Sequence, residues 1–176
     1  MLPNPLHPAI VHFPVVLAFL LPISALVAIW TIRKGARVTR AWAVPLAIAA
    51  ALTLSSWAAT ETGEAQEEKV EKVVAEAPFE AHEEAAELFM TGSAAILLLT
   101  AGGLARGITG RIGRVAATAG ALVLVAGGAY VGHTGGELVY KYGAASAYAP
   151  AGGAAPTESR NTISLTSNRG ADHDKD

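Results

Sequence analysis

Four stretches of this chain are long and almost uncharged: residues 13–32, 41–59, 85–104 and 115–132. Each holds 18–20 residues, which at about 1.5 Å per residue matches a hydrocarbon core about 30 Å thick. A lone strand in lipid leaves its backbone polar groups unpaired, and no stretch alternates with period two, so all four are expected to be helices. The expected fold is all-α, an integral membrane four-helix bundle over residues 1–142. The fourth stretch, rich in Ala and Gly, needs its neighbours to hold it.

Composition agrees. The chain has 176 residues, 52% hydrophobic against 16% charged, with a mean hydropathy of +0.38. Its charges fall in short blocks and sum to only −2, so distribution rather than net charge marks a membrane protein. There is no cysteine. Disulfides, thiolate metal sites, Cys-ligated iron–sulfur clusters and covalent c-type haem are thereby excluded. A metal here needs imidazole, carboxylate or thioether ligands.

The basic residues predict orientation. Arg33, Lys34, Arg37 and Arg40 follow the first stretch, and Arg106, Arg111 and Arg114 follow the third. By the positive-inside tendency both loops face the cytoplasm of a bacterial inner membrane, with both termini outside. The loop at 60–84 then lies outside, and it is acidic: Glu61, Glu64, Glu67, Glu68, Glu71, Glu76, Glu80, Glu83 and Glu84 against Lys69 and Lys72. A cleaved signal has its positive charge before the apolar run; here the charge follows, which favours an uncleaved helix. The Glu68–Lys72 spacing and the Val70, Val73, Val74 face predict a short amphipathic helix over 63–76, ended by Pro78. Pro14, Pro22 and Pro45 are expected to kink their helices. Residues 143–176, rich in Ala, Gly, Ser and Pro, are expected to form an extended or disordered tail that includes His173.

On that topology four of the five histidines fall at one interface. His7 and His12 precede the first stretch, His82 precedes the third, and His133 ends the fourth. Ionisable groups at a membrane surface usually have partners, and imidazole is the commonest ligand of transition metals and haem iron. His7, His12, His82 and His133 are therefore the candidate metal ligands. His7 and His12 lie about 140° apart around a helix and do not chelate one centre together. Gly128 and Gly132 form a Gly-x-x-x-Gly face just before His133. Close helix packing is its usual use; the alternative is room for a flat macrocycle beside its ligand, which makes both glycines candidate cofactor contacts. Glu61, Glu64, Glu83, Glu84, Glu87 and Glu137 lie near the same surface, but no Glu stands three residues before a histidine, so the di-iron bundle pattern is missing. Phosphate-loop, zinc-protease and serine-elbow motifs are absent, as is a basic aromatic surface for nucleic acid.

Leu6-His7-Pro8 with Val11-His12-Phe13-Pro14, followed by four apolar stretches and then Gly132-His133-x-Gly135-Gly136-Glu137-Leu138-Val139-Tyr140, resembles a family of predicted bacterial membrane proteins. It is domain-of-unknown-function family twenty-two thirty-one, and the resemblance covers residues 5–143. It implies a small bundle similar to b-type cytochromes, with a redox role and no identified substrate.

The expected function is electron transfer by one or two b-type haems near the outer surface, ligated by paired histidines. The redox partner would be a periplasmic cytochrome, membrane quinol or larger membrane complex. Axial ligands approach from opposite faces, so His12 with His133 is one expected pair, with His7 and His82 as a second pair or as supporting groups; His7 with His133 is the rival. A non-haem Cu, Zn or Fe site, or a structural accessory subunit, is the alternative. The sequence assigns no enzyme class.

Overall fold

The computed structural model describes residues 6–149. The expected tail from residue 150 onward, with His173, lies outside the described residues. Within them all regular structure is helical: α1 (His7–Ile10), α2 (His12–Arg33), α3 (Val38–Glu64), α4 (Glu67–Val70), α5 (Glu76–Gly102), α6 (Gly107–Tyr140) and a 3₁₀ turn (Ala144–Tyr148). Val11, between α1 and α2, keeps helical angles (φ −59°, ψ −20°), so the two run on as one rod. Four helices, His7–Arg33, Val38–Glu64, Glu76–Gly102 and Gly107–Tyr140, are long and apolar enough to cross a membrane.

The helices outrun the apolar stretches, because hydropathy marks the part that suits lipid whereas backbone hydrogen bonding continues into polar sequence. Most of the extra length lies at the end that holds the histidines, through Thr60–Glu64, Glu76–Glu84 and His133–Tyr140. The histidines thus sit within helical turns rather than in flanking loops. The amphipathic helix expected over 63–76 is shorter: Gly63 and Glu64 end α3, Glu76 begins α5, and the separate helix between them is Glu67–Val70. Pro78 does not end it. It sits in the first turn of α5, where a missing N–H is tolerated. The start of the expected tail also differs. Ala144 packs with Val74 and Leu138, and Tyr148 donates its hydroxyl to Gln66 Oε1 at 2.8 Å, so this turn closes over the loop.

The bundle is a ring. α2 packs on α3 and α6, and α5 packs on the same two, leaving α2 opposite α5 and α3 opposite α6. Small residues line the interior: Ala18, Ala25, Ala28, Ala49, Ala117 and Ala121 are buried, while Phe13, Phe19, Leu26 and Trp30 are exposed. Alanines between the larger core residues, such as Leu21, Leu52, Phe89 and Leu124, suit helices that approach closely in lipid. Trp42 locks the end that carries the arginine loops. It is fully buried, and its Nε1–H donates to the Thr100 carbonyl at 2.7 Å. Arg114 donates to the neighbouring Gly103 carbonyl.

A repeat runs through this packing. Buried Pro14, Ala18, Leu21 and Ala25 on α2 recur, at one constant sequence offset, as buried Phe89, Ser93, Ile96 and Thr100 on α5. Buried Pro45, Ala49 and Leu52 on α3 recur, at a second constant offset, as Ala117, Ala121 and Leu124 on α6. The bundle is therefore two helical hairpins of like direction, α2 matching α5 and α3 matching α6.

Candidate functional site

Two of the four candidate histidines meet at the histidine end of this ring. The His7 and His82 ring centres stand 6.5 Å apart with their planes at 84°. They come from the rods of α1–α2 and α5, which face each other across the diagonal, so the contact closes over the bundle axis. His7 is half-buried because α1 leans on α3. His82 is half-buried against α6.

Each imidazole is anchored through the same ring nitrogen. His7 Nδ1 lies 2.8 Å from the Ala59 carbonyl. A carbonyl only accepts, so Nδ1 carries the proton and donates. His82 Nδ1 lies 2.9 Å from Thr134 Oγ1. That hydroxyl already donates to the Val131 carbonyl at 3.0 Å, so it accepts from His82 Nδ1–H. The hydrogen-bond network thus assigns one tautomer to both rings. In the neutral form each Nε2 keeps a free lone pair. A histidine whose Nδ1–H is held by a carbonyl or hydroxyl while Nε2 is free is arranged as a metal-ligating histidine is.

Glycines make room for both rings. A Cβ at Gly63 would lie 3.3 Å from His7 Cε1, and one at Gly135 would lie 2.9 Å from His82 Cε1. One turn deeper than Ala59, on the same buried face of α3, Ser56 Oγ is buried without a hydrogen-bond partner. Such an atom usually marks a place for water or a polar ligand group.

The other candidates lie elsewhere. His12 and His133 are exposed on the outside of the bundle, so of the pairings expected from sequence the one whose rings stand near each other is His7 with His82. The position of each residue around the helix turns His7 inward and His12 outward. Gly128 leaves no recess for a macrocycle, because the Phe89 ring fills it: a Cβ there would lie 3.1 Å from Phe89 Cε2. Gly132 is exposed, with nothing within 4 Å of a Cβ. Of the acidic residues, Glu137 pairs with Lys141 at 3.0 Å. Among the described residues no third His, Asp or Glu joins the pair to make a metal-holding group of three. The residues that sequence reasoning missed are Thr62, Gly63, Thr134 and Gly135. Their signal was a Thr-Gly pair near the end of the second helix of each hairpin, which only the repeat of α3 in α6 brings out.

A family model described as a predicted membrane protein, DUF2231, matches residues 3–147. No curated protein and no solved structure matches the chain.

Proposed function

Because the chain belongs to this predicted membrane protein family, and because a pair of inward-facing imidazoles is anchored as ligands would be, we propose that it is a membrane electron-transfer protein binding a b-type haem between His7 and His82. The observation that carries the reading is the 6.5 Å between ring centres. Two imidazoles on opposite sides of one ion, each nitrogen about 2.0–2.1 Å from it, place their ring centres about 6 Å apart. At a tetrahedral angle the same bonds bring them to about 5 Å. With both Nε2 atoms turned toward the midpoint, this spacing would suit two ligands on opposite sides of one ion.

The donor set fits haem in a second respect. Two imidazoles leave four positions of an octahedral iron unfilled, and no third protein ligand stands by among the described residues. A porphyrin brings those four nitrogens itself. When bound, it would supply reversible one-electron chemistry. The protein's part is to hold two neutral imidazoles through Ala59 and Thr134 and to shield their inner side with the bundle. Gly128 and Gly132 do not contribute to that cradle.

A second reading has its own support. A monovalent copper ion is satisfied by two nitrogens in line, and it needs no slot beside rings that already pack on Gly63 and Gly135. Imidazole suits copper as well as iron.

In the membrane, the positive-inside tendency puts Arg33, Lys34, Arg37, Arg40, Arg106, Arg111 and Arg114 in the cytoplasm. The histidine end then faces the periplasm of a bacterial inner membrane, with both termini outside. All candidate ligands lie at that end, so electrons would be exchanged with an outer partner, a periplasmic cytochrome or quinol, and not passed across the bilayer.

Absorption spectra and metal analysis of the purified protein test this directly. A sharp α-band in the reduced-minus-oxidised spectrum, lost in His82→Ala, is expected. Stoichiometric copper without porphyrin would replace haem by the second reading. A colourless protein containing neither would sink both.

A further inference from the structure

The two histidines are held by matching machinery. On the first hairpin, Thr62 Oγ1 donates to the carbonyl three residues back, Ala59, at 3.0 Å; on the second, Thr134 Oγ1 donates to the carbonyl three residues back, Val131, at 3.0 Å. A glycine follows each threonine, and the ring that rests against Gly63 is His7 while the ring that rests against Gly135 is His82. His7 Nδ1 lies 3.5 Å from Thr62 Oγ1 and His82 Nδ1 lies 2.9 Å from Thr134 Oγ1. The sequence offsets are those of the buried core. His82 follows His7 at the same interval by which Phe89 follows Pro14. Thr134-Gly135 follows Thr62-Gly63 at the same interval by which Ala117 follows Pro45.

A coincidence of two capping histidines does not produce this correspondence. Helix capping requires neither the same threonine bond, nor a glycine at the same step, nor the register of residues several turns deeper. Two hairpins of like direction, packed so that α2 on α6 matches α5 on α3, are related by an approximate two-fold axis along the bundle. His7 and His82 are symmetry mates under that operation, and their ring centres stand 6.5 Å apart where the axis leaves the bundle.

We infer that His7–Thr62–Gly63 and His82–Thr134–Gly135 are two copies of one half-site, and that a single transition-metal centre sits on the axis between them, held equally by both Nε2 atoms. Thr62 and Thr134 are positioning residues, which fix the carbonyl or hydroxyl that receives each Nδ1–H. The inference rests on reading the pair as a metal-centre site. It adds that the ligands are equivalent, that the centre is one and not two, and that His12 and His133 take no part. Symmetry is incomplete in two details: His7 donates to the carbonyl itself, whereas His82 donates to the threonine hydroxyl, and Thr62 Oγ1 also reaches the Ala58 carbonyl at 2.9 Å. Loss of the hydroxyl therefore matters more on the second hairpin.

The test uses the full chain in detergent, titrated with hemin and, separately, with copper(I). His7→Ala and His82→Ala are each expected to weaken binding of the probe to the same degree, and by more than the roughly 10- to 100-fold that losing a group behind a ligand costs. With hemin, each should turn a low-spin ferric spectrum into a high-spin one. Thr134→Val should weaken binding and broaden the spectrum, Thr134→Ser should restore it, and Thr62→Val should have the smaller effect. His12→Ala and His133→Ala should change nothing. If a probe binds but only one of His7 and His82 matters, the equivalence is overturned while the metal reading stands. If neither probe binds the wild type, both fall. Nitrogen-15 spectra of the imidazoles in the unloaded protein give a check that needs no folded variant. Both His7 and His82 are expected as Nδ1–H tautomers, and an Nε2–H tautomer at either would overturn the shared half-site.

Discussion

At the scale of single residues, the site depends on hydrogens in the place of side chains. A Cβ at Gly135 would stand 2.9 Å from His82 Cε1, closer than side-chain carbons approach, whereas one at Gly63 would stand 3.3 Å from His7 Cε1. Gly135→Ala must therefore displace the His82 ring and lengthen its bond to Thr134, while Gly63→Ala asks His7 to yield by a few tenths of an ångström. We expect Gly135→Ala to weaken cofactor retention by about 10- to 100-fold, the usual effect of disturbing a group that orients a ligand. Gly63→Ala should do less. Cofactor content after purification measures both, and equal retention in Gly135→Ala and wild type would show that the ring is not held there. The sequence offered His7 with His82 only as a second pair, behind His12 with His133. It placed four imidazoles at one end by topology, and helical periodicity kept His7 and His12 from sharing a centre. What it lacked was the rotation of each helix about its own axis. In a segment apolar on every face, hydropathy does not tell the inward side from the lipid side.

At the scale of elements, the four helices were legible because lipid imposes one rule on length and polarity together. Their ends were not, because Thr60–Glu64 and Glu76–Glu84 are helical without being apolar. Contacts between helices were equally hidden, and the clearest is the Trp42 lock that joins α3 to α5. Its indole N–H bonds the Thr100 carbonyl at 2.7 Å, and its ring covers Gly103, where a Cβ would lie 2.5 Å from Nε1. Trp42→Phe keeps most of the packing and removes the bond, so we expect a loss of about 1 kcal/mol. Gly103→Ala drives a methyl group into the indole and should destabilise more, about 1–3 kcal/mol. Reversible unfolding in mixed micelles ranks the two. Because the lock lies at the end opposite the histidines, neither variant should alter ligand binding in the protein that remains folded. The reverse ranking would mean that the hydrogen bond, rather than the fit of indole on glycine, dominates this junction.

At the scale of the whole molecule, the repeat of one hairpin in the other explains why both inward-facing histidines lie at one end. Two hairpins of like direction bring both copies of any end-located group to the same membrane surface, whereas an inverted repeat would send them to opposite surfaces. Two histidines on one hairpin design thus become a facing pair without crossing the bilayer. The same geometry gives the protein a polarity that the arginine loops are expected to orient. Seven basic residues, from Arg33 to Arg40 and from Arg106 to Arg114, lie at the end away from the His7–His82 pair. The chain has no cysteine, so single cysteines introduced at exposed positions report on sidedness without background. With Glu71→Cys in the loop beside the histidines and Arg37→Cys in the first arginine loop, a membrane-impermeant maleimide should label the first in intact cells and the second only after the membrane is opened. The opposite pattern would put the His7–His82 pair in the cytoplasm and exclude every periplasmic partner. Since both histidines sit at one end, this single measurement decides which compartment the centre serves, whichever metal fills it.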